Sequence, residues 1–160
     1  MWLQDAYAME QEAETMLKAM AGRLEHYPEL RARIQAHVEE TRQQSSQLET
    51  CIARLDGSVP AARGMLADAM AAMHAAGNSM MSDEVAKGVG ISYAFEHMEI
   101  ASYRALVIAA REAGHEDIAA VCSRILAEEE AMAQWLLEHH ESVILAFLAR
   151  ETTEGVTAKR

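Results

Sequence analysis

The sequence predicts an all-α protein, a ferritin-like four-helix bundle with an additional crossover helix between the second and third bundle helices. Composition is the first observation: alanine occurs 31 times against eight glycines and two prolines, while Val, Ile and Thr together supply only 22 residues. That balance favours helix over sheet. The second is periodicity, since four long stretches carry apolar or small residues at alternating steps of three and four, which draws one stripe along a helix. The third is connectivity. Short turns inside each of two helix pairs and one long connection between them match the ferritin-like arrangement.

The first stripe runs through Leu3, Tyr7, Glu10, Ala13, Leu17, Ala21 and Leu24 and halts at Glu25-His26-Tyr27-Pro28. Pro28 suits the first turn of a following helix, where its missing N–H has no partner to lose. The second stripe reads Leu30, Ile34, His37, Thr41, Gln44, Leu48, Cys51 or Ile52 and Leu55, and stops at Asp56-Gly57-Ser58, where Gly57 is expected to supply a left-handed cap. Pro60 to Ala76 are rich in alanine and methionine and predict the crossover helix, ended by Gly77-Asn78-Ser79. Ser82-Asp83-Glu84 opens a third stripe, Val85, Val89, Ser92, Glu96, Glu99, Tyr103, Leu106 and Ala110, closing at Gly114. The fourth takes Ile118, Cys122, Ile125, Glu129, Met132, Leu136, His139, Val143 and Phe147. At 51% hydrophobic and 24% charged residues the chain is expected to be one domain over residues 1–150, with 151–160 a frayed tail.

A net charge of −11 repels phosphate backbones and anionic lipid alike, so neither nucleic acid nor membrane is an expected partner. The start of the chain has no basic segment followed by an apolar run, which leads to an expected cytoplasmic location. Cys51 and Cys122 lack the close spacing of a thiolate metal site and read as small buried apolar residues. Homodimerisation is expected, with Met65, Met70 and Met73 of the crossover helix as its apolar patch.

Each stripe nevertheless carries charge near its middle. Glu10, His37 and Glu40, Glu96 and Glu99, and Glu129 fall at inward or nearly inward positions, although carboxylates are almost never buried unpaired. Glu10 and Glu40 lie about equally far from the turn near Glu25, and Glu96 and Glu129 flank Ala113-Gly114, so each hairpin brings its carboxylates to one level. Docking the hairpins by a two-fold operation gathers them into one layer, with Glu10 and Glu96 as mates. Five carboxylates in an apolar layer raise one another's pKa values unless cations are present. Two divalent ions, iron or manganese, held by Glu10, His37, Glu40, Glu96, Glu99 and Glu129 would neutralise them.

The same residues carry a resemblance. Asp5-Ala6-Tyr7-Ala8-Met9-Glu10, His37-Val38-Glu39-Glu40-Thr41, Phe95-Glu96-His97-Met98-Glu99-Ile100-Ala101-Ser102-Tyr103 and Ala127-Glu128-Glu129-Glu130 resemble the signature segments of the YciE/YciF ferritin-like family. That resemblance covers essentially the whole chain. It implies a bundle similar to rubrerythrins and manganese catalases, a di-iron or di-manganese centre and a connection with bacterial stress. The chain departs from the wider ferritin-like pattern, in which the second and fourth helices carry Glu-x-x-His: three residues after Glu40 stands Gln43, and three after Glu129 stands Met132. Two readings of function follow. In one, the metal pair reduces peroxide or oxidises Fe(II) with dioxygen, its electron donor unnamed. In the other, the layer is a vestigial or weak ion site in a non-catalytic, stress-associated bundle.

Overall fold

The computed structural model describes residues 1–59, 83–153 and 155–156. Among these, four α-helices account for the regular structure: α1 (Trp2–Ala21), α2 (Pro28–Arg54), α3 (Glu84–Glu112) and α4 (Glu116–Glu151). Each follows one of the four stripes. The expected crossover helix at Pro60–Ala76 and its Met65, Met70 and Met73 lie outside the described residues. No described helix is long and apolar enough to cross a membrane.

The turns are tight for identifiable reasons. α1 ends at Ala21, three residues short of the end of its stripe, and Leu24 is buried in the turn that follows. Pro28 occupies the first turn of α2 as its fixed φ favours. At the end of α2 the left-handed residue is Asp56 (φ 53°) rather than Gly57, which corrects the expected cap. Gly57 is small for a different reason: a Cβ there would stand 2.9 Å from Cγ2 of Ile52, where the chain folds back on the helix and its N–H bonds the Ile52 carbonyl at 3.0 Å. Gly114, with φ 77°, makes the sharp reversal between α3 and α4 in a conformation that other residues adopt only at a cost.

Pairwise contacts between helices establish the topology. α1 and α2 form one antiparallel hairpin, α3 and α4 the other. Ser92 on α3 donates to the sulfur of Met20 near the end of α1, whereas Tyr103, further along α3, reaches back to Glu10, so α1 and α3 are antiparallel. Gln44 bonds Glu129 and Arg54 pairs with Asp117, so α2 and α4 are antiparallel too. Leu55 and Glu84 therefore lie at opposite ends of the bundle, Leu55 beside Ile118 and Glu84 beside Arg23.

The core fills both halves of the bundle with leucine, isoleucine, valine and methionine, among them Leu17, Leu24, Leu30 and Ile34 on one side and Leu48, Ile125 and Cys122 on the other. Between them lies one polar layer. Glu10, His37, Gln44, Glu96, Glu99 and Glu129 are all 0–1% exposed.

Replacing glycine by alanine separates the two backbone roles. Gly114→Ala should destabilise the fold by about 1–2 kcal/mol because it forces a Cβ into the left-handed region. Gly90→Ala, inside α3 with open space around its Cα, should stabilise by about 0.5–1 kcal/mol through helix propensity. Urea melts of the two variants measure both signs.

Candidate metal centre

All four helices contribute to the polar layer, and each does so from the position its stripe assigns. Glu10 comes from α1, His37 from α2, Glu96 and Glu99 from adjacent turns of α3, and Glu129 from α4. Four of them, His37, Glu96, Glu99 and Glu129, each offer a donor atom, and these atoms all lie within 4.8 Å of one another. The Glu10 carboxylate adjoins them closely enough to interact electrostatically with Glu129, His37 and Glu96.

His37 stands at the centre. Its Nε2 lies 3.3 Å from Oε2 of both Glu96 and Glu129, near enough for charge attraction though not aligned as a directed hydrogen bond to either. Its Nδ1 lies 2.6 Å from Oε2 of Glu40. Tyr103 donates its hydroxyl to Oε1 of Glu10, and Gln44 donates its amide to Oε1 of Glu129 and, at 2.8 Å, to Oε2 of Glu128. After these bonds are made, Glu10 Oε2, Glu96 Oε2, Glu99 Oε1 and Glu129 Oε2 are buried with no hydrogen-bond partner. Buried polar atoms left in that condition each cost free energy of about 1–3 kcal/mol, and more when ionised.

The electrostatics follow from burial and like charge. Desolvation, with the charge of Glu129 next, pushes Glu10 well above the ordinary carboxylate range, and desolvation with the charge of Glu10 does the same to Glu99. Burial raises Glu96 to about 7, opposed by the nearby ring of His37. For His37, burial disfavours the charged ring, but Glu129, Glu40 and Glu96 outweigh it and lift its pKa to about 12. Tyr103 is likewise held protonated by burial and by Glu10. One imidazolium thus faces four buried carboxylates and cannot balance them.

Glu40 occupies a different place from the inner layer in which the sequence puts it. Its side chain is 36% exposed, it carries Arg33 at 3.1 Å, and the hydrogen bond from His37 holds it below the usual carboxylate range. The hairpin geometry does bring Glu40 to the right level, but the last degrees of helix rotation turn it to the outer side of His37. Glu14 pairs with Lys18 and Arg42, Glu39 with Arg42 at 2.5 Å, and the exposed His97 packs edge-on against Tyr93. None of the three enters the cluster. Sequence reasoning missed the parts played by Gln44 and Tyr103, although both lie on stripes among apolar neighbours, and a polar side chain at such a position is itself the signal.

A four-helix up-down-down-up bundle enclosing a layer of carboxylates and one imidazole defines a ferritin-like class of protein. The chain belongs to the family described as "Domain of unknown function (DUF892)", whose pattern matches residues 1–149, in accord with the YciE/YciF resemblance of its motifs. A crystal structure of a protein from Xanthomonas campestris pv. campestris is similar at a TM-score of 0.84 and 59% identity, covering 95% of each chain. The Escherichia coli stress protein YciF gives a TM-score of 0.75 at 22% identity over 87% of this chain and 89% of its own, which is a likeness of fold. YcfI of Rhodopseudomonas palustris gives 0.72 at 28% identity over 84% and 87%.

The cluster makes the metal-free protein sensitive to alkali. A carboxyl whose folded pKa is raised keeps its proton only in the folded state over the interval above 4.5, which for Glu96 extends to about 7. His37 behaves in the same way from 6.5 to about 12. In both intervals unfolding releases a proton, so stability falls as pH rises, by about 1.4 kcal/mol per pH unit for each such proton. Glu40, shifted down, acts only below 4.5. Thermal melts of EDTA-treated protein should therefore show a higher Tm at pH 5 than at pH 8. Under the same conditions at pH 8, Glu99→Gln should raise Tm, because the amide is neutral in both states at nearly constant volume, whereas folding the glutamate requires either taking up a proton or burying a charge.

Proposed function

We propose that this protein is a ferritin-like metalloprotein holding two divalent ions, iron or manganese, with Glu10, His37, Glu96, Glu99 and Glu129 as ligands. The observation that carries this reading is the set of four carboxylate oxygens that accept no hydrogen bond, one from each of those glutamates, gathered around a single imidazole in a buried layer. Carboxylate and imidazole donors suit either metal, and the sequence spacing Glu96-x-x-Glu99 offers two oxygen donors from one helix face. Bound ions would supply one-electron redox chemistry, with peroxide, or dioxygen and Fe(II), as the small substrates.

The chain's own residues have definable tasks in this scheme. Glu40 accepts from Nδ1 of His37, which leaves Nε2 turned toward Glu96 and Glu129 and raises the basicity of the ring. Glu40 is thus assigned as the residue that orients the imidazole, in place of the direct ligation expected from sequence. Gln44 steadies Glu129 and Tyr103 steadies Glu10, so each keeps one oxygen engaged while the other would remain available to hold an ion. The surrounding apolar core excludes bulk water and leaves small neutral oxidants as the species that enter at least cost.

A second reading rests on the departures from the Glu-x-x-His pattern. These departures are Gln43, three residues after Glu40 and exposed, and Met132, three after Glu129 and fully buried; neither supplies the imidazole of a Glu-x-x-His bundle, and Gln44 fills its own buried place with an amide. A single weakly held ion in a non-catalytic bundle would have this appearance.

Metal analysis separates the two. Protein from iron- or manganese-fed cells should contain close to two ions per chain, and Glu96→Ala should contain fewer. At about a hundredfold excess over its dissociation constant, an ion that binds only the folded chain adds roughly 2.7 kcal/mol of stability, enough to raise Tm at pH 8 by several degrees. No bound metal under either feeding condition, with a Tm indifferent to chelator, would remove the proposal. Glu40→Ala should weaken metal affinity by about 10- to 100-fold while preserving stoichiometry at saturation.

A further inference from the structure

The two cysteines, both free and buried, are far apart in sequence and stand at matching levels of the seam between α2 and α4. Gln44 of α2 and Glu129 of α4 are in direct hydrogen-bond contact at 2.5 Å, which establishes which residues stand opposite on this antiparallel pair. Seven residues is two helical turns and returns to the same face. Moving seven residues forward from Gln44 reaches Cys51, and seven back from Glu129 reaches Cys122. The layer between them, Leu48 and Ile125, obeys the same register, and all four of these side chains are 0–1% exposed. The two thiols lie near enough for the charge of one to be felt by the other: burial and the proximity of Cys51 raise Cys122 to about 11.

The next layer outward is Leu55 and Ile118, and these two residues with Ile52 line a cavity of about 340 Å³ at that end of the bundle. The cysteine pair therefore sits one layer beneath a pocket large enough for small molecules, about 10.5 Å along the helices from the level of Gln44 and Glu129.

We propose that Cys51 and Cys122 are an oxidation site, closing to an intramolecular disulfide that ties the α1/α2 hairpin to the α3/α4 hairpin, with hydrogen peroxide as the oxidant. One thiolate attacks peroxide, forming an S–O bond and breaking the O–O bond to give a sulfenic acid and hydroxide. The second thiolate then displaces hydroxide from that sulfur to form the S–S bond. The two sulfurs give up two electrons, peroxide takes them, and with the two thiol protons the products are one disulfide and two waters. Burial keeps both thiols protonated, so closure is slow and outlasts brief exposure to oxidant. The seam that closes also carries His37, Gln44 and Glu129, but closure of the disulfide requires no bound metal.

The test uses the full-length chain, reduced, stripped with EDTA and incubated with a small excess of hydrogen peroxide at pH 8. Free thiols are counted in denaturant, and intact mass and non-reducing gel mobility are recorded. Both thiols should disappear together, with loss of two hydrogens, a faster-migrating monomer and reversal by dithiothreitol. Tm of the oxidised chain should rise by about 10 °C, since the bridge closes a long loop. Cys51→Ser and Cys122→Ser should each abolish the mobility shift. Persistence of both thiols, addition of oxygen without loss of hydrogen, a disulfide between two chains, or a shift surviving in either serine variant would overturn the proposal. Because the metal is removed beforehand, failure of the metal reading and failure of this one produce different results.

Discussion

Four carboxylates share a dry layer with one imidazole, and that imbalance of charge is the constraint around which the rest of the molecule is arranged. Glu10, Glu96, Glu99 and Glu129 are all 0–1% exposed, and hydrogen bonds from Tyr103 and Gln44 satisfy only part of their oxygens. Desolvation of Glu10, Glu96 and Glu99 disfavours their charge, and neighbouring carboxylates disfavour it further. Protons or cations must make up the difference. Protons held by the raised carboxyl groups are one answer, and a set of carboxylate and imidazole donors of this composition is also one that divalent ions could fill. The stability forgone in leaving oxygens unpartnered is the usual mark of a site kept for chemistry.

The layer also acts on the architecture. Named polar contacts join one hairpin to the other: Tyr103 with Glu10, Gln44 with Glu128 and Glu129, Arg54 with Asp117, and Arg23 with Glu84. Apolar packing is tolerant of sliding by a turn. Buried polar pairs are not, because a displaced partner leaves an unsatisfied group in a medium that cannot solvate it. The contacts that assemble the candidate centre thus favour a single docking of one hairpin on the other.

Glu40 shows how a residue can belong to such a centre without being inside it. Partly exposed and paired with Arg33, it keeps its charge easily, and it spends that charge on Nδ1 of His37. The arrangement places a readily ionised carboxylate behind the imidazole and carboxylates resistant to ionisation in front of it. The ring is thereby polarised along the line from the surface to the interior, and its inner nitrogen is presented to the donor cluster.

The four helices were legible in the sequence because the step of three and four is a local property: a helix repeats at about 3.6 residues wherever it forms, so the stripe can be read without knowing what covers it. The level of the glutamates was legible for a related reason, since a constant rise converts sequence distance into height. What lies across the seam depends instead on rotation and docking, which are set by packing among all four helices at once. That is why Glu40 proved to stand behind His37, and why the roles of Gln44 and Tyr103 and the shared level of Cys51 and Cys122 emerged only in three dimensions. Sequence alone determined that acidic residues interrupt every apolar stripe at one height. Tertiary structure decided which of them share a single dry pocket, because a rotation of a few tens of degrees separates a buried carboxylate from a solvated one.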